Sequence, residues 1–229
     1  MKKLVIIPAF NEEGNLEKTI QDIRENAPGF DYVIVNDCST DETLAMCRRH
    51  GFSYLNLPIN LGIGGAVQTG YRYAYYHDYD IAVQFDGDGQ HDAGYLEEMA
   101  RVLRKTDSDM VIGSRFIEKE GFQSSAIRRM GIRYFTVLIR CLTGRKITDP
   151  TSGMRMVNRR LLKKFTEEYP KDYPEPESVV TIISEKFRVS EMPVVMRKRE
   201  EGTSSISLRQ SAYYMIKVSF AMVIARMKK

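Results

Sequence analysis

The sequence predicts an α/β fold, with a mostly parallel central sheet, helices on both faces, and amphipathic helices toward the C-terminus. Three observations predict it. Apolar runs of about five residues recur through the first 115 positions, the pattern of strands buried on both faces. Stretches of helical periodicity separate them, and that alternation produces parallel strands. Each of the main polar, glycine-bearing clusters directly follows an apolar run, as at the ligand-binding edge of such sheets.

The elements follow in order. Residues 4–8 (LVIIP) read as a strand and 14–26 as a helix. The pair repeats as 32–36 with 41–50, as 54–57 with 63–77, and as 81–85 with 92–105; residues 110–114 form a fifth strand. Beyond 115 the rhythm breaks. Residues 123–143 read as one helix, with Arg129, Arg133 and Arg140 on one face and Ile127, Met130, Tyr134, Leu138 and Cys141 on another. A turn at 149–153, a short strand at 154–158 and a helix at 159–168 come next. Pro170, Pro174 and Pro176 mark a loop. A helix at 178–186, a strand at 189–196, a polar loop at 197–205 and a last helix from 207 complete the chain. The expected division is one domain over 1–206 and a C-terminal apolar, basic helix over 207–229.

At 229 residues the chain suits one domain with a real core. Its hydrophobic fraction of 43% and charged fraction of 28% are ordinary for a globular protein. The N-terminal apolar run is too short for a secretion signal, and the apolar stretch 212–225 falls short of the roughly 20 residues that span a bilayer. Cys38, Cys47 and Cys141 are odd in number and lack metal-ligand spacing, so a reduced, cytoplasmic setting is expected. The net charge of +4 hides an asymmetry. Residues 1–110 hold 10 Lys and Arg against 18 Asp and Glu, and residues 111–229 hold 24 against 12. An acidic half suits a cation and a basic half suits anions.

Asp86-Gly87-Asp88 closes the fourth predicted strand. Side chains at i and i+2 of a strand end point the same way, so the two carboxylates converge. Such hard oxygen ligands suit Mg²⁺ or Mn²⁺ bridging to substrate phosphates. Gln90 and His91 are candidates for a further ligand or a phosphate contact. Pro8, Ala9, Asn11 and Glu12 follow the first strand and are placed to seat a ribose or base; the plainer reading is a helix entry with first-turn acids. Asp37, after the second strand, is placed to accept from a base N–H. Gly62, Gly64 and Gly65 open the third helix like a phosphate loop, without the Walker lysine or the dinucleotide spacing.

Taken together, PAFNEEGNL, NDCSTDET, NLGIGGAVQTG, QFDGDGQH, GSR, TDPTSGMR and EMPVVMRKREEGTSS occur in this order. The sequence resembles the family 2 inverting glycosyltransferases of Rossmann-like GT-A fold. It looks most like the branch of dolichyl-phosphate mannosyltransferase and bacterial polyprenyl-phosphate hexosyltransferases. The resemblance runs from about residue 3 to about 207. It implies that Pro8 to Glu12 and Asp37 hold the nucleoside, that Asp86, Asp88 and Gln90 hold metal and diphosphate, and that Arg199 to Ser204 close over phosphate. Residues 1–115 are then the nucleotide-sugar and metal-binding part, and 116–206 the acceptor-binding part. Two positions depart from the family pattern: Asn36 stands where an Asp is frequent, and Ser205 where a Lys is frequent.

The implied reaction moves a hexose or N-acetylhexosamine from a nucleoside-diphosphate sugar, with Mg²⁺ or Mn²⁺ as cofactor. Gly87 lets the backbone approach the donor. Arg115, Arg155 and Arg199 are candidates for sharing the charge of the diphosphate or of an acceptor phosphate. Asp149 is a candidate general base for an alcohol acceptor; for a phosphate acceptor, already ionised above about pH 6, it would orient groups instead. The plainer reading of Asp149-Pro150 is a turn former. Arg129, Arg133, Arg155 and Ser204 are the expected acceptor contacts. The expected partners are a polyprenyl phosphate at the cytoplasmic membrane face, the membrane surface itself, and a separate small membrane protein or a second copy. Nucleic acid is not expected. The rival readings are a soluble transferase elongating a polysaccharide on an alcohol, a sugar-nucleotide-forming nucleotidyltransferase, and a non-catalytic nucleotide-sugar-binding module.

Overall fold

Strand β1, Lys3–Ala9, buries all but its first residue because its apolar side chains feed both faces of the sheet. Leu4 and Ile6 enter one core, and Val5 and Ile7 enter the other. The computed structural model describes residues 1–121, 126–172, 174–197 and 208–227. Along the chain follow α1 (Leu16–Asn26), β2 (Asp31–Asn36), α2 (Thr43–Arg49), β3 (Tyr54–Asn56), α3 (Gly62–Tyr76) and β4 (Ile81–Gln84). Then come α4 (Leu96–Lys105), β5 (Met110–Ser114), α5 (Ala126–Thr143), β6 (Arg155–Asn158), α6 (Arg159–Glu167), α7 (Pro174–Ser184), β7 (Val189–Pro193) and α8 (Leu208–Met227).

The seven strands lie in the order β3-β2-β1-β4-β6-β5-β7. All pairings are parallel except those of β6, which runs against both β4 and β5. An antiparallel strand starts where its parallel neighbours end. Residues 149–154, which lead into β6, are thereby brought to the carboxyl edge beside Asp86. The order also reverses at β1, whose two neighbours are β2 and β4, and ligands bind at such switch points.

One core packs α1, α2 and α4 on the sheet, and the other packs α3, α5, α6, α7 and α8 on the opposite face. Two expectations change here. The first lies in the proline-marked loop. Helix α7 begins at Pro174, four residues before the expected start, because a proline in the first helical turn has no N–H to leave unpaired. The second concerns α5. It buries Ile132, Phe135 and Ile139, while Met130, Tyr134 and Cys141 of the expected apolar face stay exposed.

Helix α3 approaches its neighbours closely at Gly64. The Gly64 N–H donates to the Lys171 carbonyl at 3.0 Å. A Cβ there would lie 2.2 Å from the carbonyl oxygens of Pro170 and Lys171. Gly64→Ala is therefore expected to destabilise the fold by about 2 kcal/mol despite the better helix propensity of Ala. Thermal unfolding should report a midpoint lowered by roughly 4–8 °C, and an unchanged midpoint would refute the contact.

Candidate active site

The carboxyl ends of β1, β2 and β4 open into a cleft of about 480 Å³, within the usual size for small-molecule sites. Its lining brings together Pro8, Ala9, Glu12, Asp37, Gly62, Asp86, Gly87 and Asp88, which the sequence had singled out separately. Phe10 and Ile63 also line it, 48% and 38% exposed. They give the cleft an apolar border that the motif reading passed over. An apolar residue inserted directly after a buried strand, in an otherwise polar loop, was the available signal.

The loops after β1 and β2 are stitched together. Asn11 donates its N–H to Ser39 Oγ and accepts from Thr40 N–H at 2.8 Å. Glu12 N–H meets Thr43 Oγ1 at 3.0 Å. Asn11 sits in the left-handed region at φ 57° and holds this loop pair together from an exposed position. Buried Asp37 accepts from Leu61 N–H at 2.7 Å and so fixes the entry to α3. The first amides of α3 are committed to the protein: Gly62 N–H goes to Asn60 Oδ1 and Gly64 N–H to Lys171 O. The glycine-rich segment is thus a packing device more than a phosphate cradle. Gly62 borders the cleft, and Gly65 packs against Leu61.

Asp86 and Asp88 face the same cleft. His91, buried, accepts the Asp86 N–H on Nδ1 at 3.0 Å, which leaves Nε2 as the protonated nitrogen, 3.6 Å from Asp86 Oδ2. His91 therefore orients Asp86 and does not offer a ligand lone pair. Gly153 passes so near that a Cβ would stand 2.6 Å from Asp86 Oδ2. The Gln90 backbone closes the turn, donating to Asp88 Oδ1 at 3.1 Å and accepting from Arg197 N–H at 2.8 Å. Among the described residues no three His, Cys, Asp or Glu side chains group as a metal cage. Two converging carboxylates, with further positions left to diphosphate and water, fit Mg²⁺ or Mn²⁺.

Across the edge of the cleft, Asp149 is fully buried and bound to Arg115 by two parallel contacts, at 2.6 and 2.7 Å. It also accepts the Arg115 N–H at 3.2 Å and the Thr151 hydroxyl at 3.2 Å. Glu191 of β7 holds the backbone of this turn, accepting from Thr148 N–H at 2.8 Å and Asp149 N–H at 3.0 Å. Burial pushes the Glu191 carboxyl up, against the lowering pull of those hydrogen bonds. Its role was invisible in sequence because it is 42 residues away from Asp149.

The expected acceptor contact of Arg155 is corrected. Arg155 is 1% exposed, and its guanidinium is committed to the carbonyls of Ser152, Pro150 and Glu175 and to Ser178 Oγ. It ties the 149–153 turn to the start of α7. Arg128, unremarked in the sequence, is exposed near the start of α5, within electrostatic reach of Arg115, Asp149 and Asp88. Partial removal from water lowers its pKa, neighbouring Arg115 lowers it further, and Tyr214, Asp149 and Asp88 act in the opposite direction. Arg129 is half-buried and Arg133 exposed along α5. Arg199 and Ser204 lie outside the described residues.

Comparison with known proteins bears on the family and the fold. The model of the family described as glycosyl transferase family 2 matches residues 4–166. A UDP-N-acetylglucosamine–dolichyl-phosphate N-acetylglucosaminyltransferase of Methanococcus voltae is 29% identical, over 83% of this chain and 83% of its own. A polyprenol monophosphomannose synthase of Mycolicibacterium smegmatis is 28% identical, over 95% of this chain and 86% of its own. Among solved structures, glucosyl-3-phosphoglycerate synthase of Mycobacterium tuberculosis, in complex with Mn²⁺, UDP-glucose and phosphoglyceric acid, superposes with a TM-score of 0.77. That likeness covers 98% of this chain and 79% of the other at 16% identity, and it shows the shared fold.

Proposed function

The chain belongs to glycosyl transferase family 2, and from that premise we propose that it transfers a hexose or N-acetylhexosamine, with inversion, from a nucleoside-diphosphate sugar to a polyprenyl phosphate at the cytoplasmic face of a membrane. That it is a glycosyltransferase follows from the family and its named relatives. Relatives named for dolichyl and polyprenol phosphates, matched over more than four-fifths of their length, support the lipid acceptor.

The observation that carries the acceptor assignment is the commitment of Asp149 to Arg115. A carboxylate locked on a guanidinium is poorly placed to take a proton from an alcohol. A phosphate monoester needs no such base, because it is already ionised above about pH 6. Arg128, at the start of α5 and within electrostatic reach of Asp149 and Asp88, supplies positive charge for its oxygens. Phe10 and Ile63 seat the base, Asp37 holds the cleft edge, and Asp86 and Asp88 hold Mg²⁺ or Mn²⁺. A divalent cation held there would supply positive charge to offset that growing on a departing diphosphate.

A panel of UDP- and GDP-linked hexoses and N-acetylhexosamines, offered with a polyprenyl phosphate or the matching prenol, tests the reading by product mass. One donor should be consumed with the phosphate only, and excess chelator should stop it. Transfer to the prenol at an equal rate would replace the reading with an alcohol-glycosylating one.

A further inference from the structure

Helices α5 and α8 leave an apolar platform open to solvent. Helix α8 turns Val218, Met222 and Ala225 inward. Tyr213, Ile216, Phe220, Val223 and Met227 point outward, at alternating spacings of three and four, and Phe220 is 66% exposed. On α5, Met130, Tyr134 and Val137 follow the same spacing and are 67%, 43% and 61% exposed. The two helices lie side by side. The Tyr134 hydroxyl meets Ser219 Oγ at 3.0 Å, and Arg226 Nε donates to Leu142 O at 2.9 Å. Their stripes therefore join into one surface, and contiguous apolar surface of this kind marks an interface.

Charge decides what covers it. Helix α5 carries Arg128, Arg129, Arg133 and Arg140, and α8 carries Arg226 and Lys217, the latter paired with Asp172. Neither helix contains an Asp or Glu. A second copy laid on the platform would bring like charges together, whereas an anionic surface would meet them. No described helix is long and apolar enough to cross a membrane, so the platform would lie on the bilayer. The N-terminal end of α5 also brings Arg128 to Arg115, Asp149 and Asp88.

We propose that the α5–α8 face rests on an anionic bilayer, its apolar stripes sunk at the boundary of headgroups and acyl chains and its cations among the headgroups. The platform leads from the lipid surface to the acceptor side of the cleft. Its catalytic purpose rests on the lipid-phosphate reading; the docking itself does not.

Flotation with vesicles of phosphatidylcholine alone, or mixed with phosphatidylglycerol, tests it. The protein should float with the anionic vesicles and release at high salt. Ile216→Asp combined with Phe220→Asp, both at exposed positions, should weaken vesicle binding at least about tenfold and leave turnover of a short, water-soluble prenyl phosphate unchanged. Equal partitioning to both vesicle types, or a double variant that floats like the parent, overturns the proposal. A solution dimer that the double variant splits assigns the face to a second copy and overturns it too. Flotation by a protein that glycosylates no prenyl phosphate would sink the acceptor reading and leave the docking standing.

Discussion

Asp88→Ala is expected to lower glycosyl transfer by at least about 10³-fold, since a divalent cation contributes several kcal/mol to stabilising a leaving diphosphate. Asp88 is one of only two carboxylates that the Asp86-Gly87-Asp88 turn presents to the cleft. Removing it would halve the carboxylates proposed to hold the metal, and the remaining Asp86 is already partly engaged by Gln84 Nε2 at 3.3 Å. The fold should survive, because Asp88 is half-exposed at a strand-end turn and is no part of either core. Calorimetric titration with Mn²⁺ plus donor, run beside the kinetic assay, separates lost metal from lost folding. A variant that keeps a tenth of parental turnover, or a parent indifferent to chelator, would remove the metal role from this pair.

The second large effect belongs to Asp149→Asn. The substitution preserves shape and leaves the buried Arg115 guanidinium without its counter-charge. Breaking one side of a buried pair costs about 3 kcal/mol or more, which should lower the melting temperature by roughly 6–12 °C for a chain of this size. Turnover measured below that temperature should fall on the order of 10²-fold, the usual consequence of misplacing a positioning group by about 1 Å. The pH profile tells position from proton transfer. With a phosphate acceptor the acidic limb belongs to the acceptor's own second ionisation near pH 6, so it should persist in the variant. Loss of that limb, with Asp149→Asn dead toward a prenol that the parent uses well, would restore Asp149 as a general base.

The first five strands and their helices were legible because period and burial agree there: LVIIP and MVIGS have no amphipathic alternative. Strand β6 was legible as a strand but not in its direction, since direction depends on which strand it pairs with. The carboxylate pair was found by its place after a strand. Arg155 was misassigned for a physical reason: three nearby carbonyls can satisfy a buried guanidinium as fully as a ligand phosphate can, and sequence does not reveal which is closer. Arg128 was missed because on a helix a single residue's rotation, about 100°, decides whether an arginine comes within reach of the site, and the helix's packing face was itself misread. Glu191 needed the β5–β7 pairing before it could be connected to Asp149.

The reversed strand β6 also sets an order of assembly. Its ladder with β4 registers Gln84 against Arg155, so the turn that carries Asp149 takes its place beside Asp86 only once that distant pairing has closed. During synthesis the parallel strands β1 to β4 leave the ribosome first, and the turn at 149–154 that leads into β6 follows later. Completion of the site is thereby made contingent on a non-local strand pairing as well as on the parallel pairings of β1, β2 and β4.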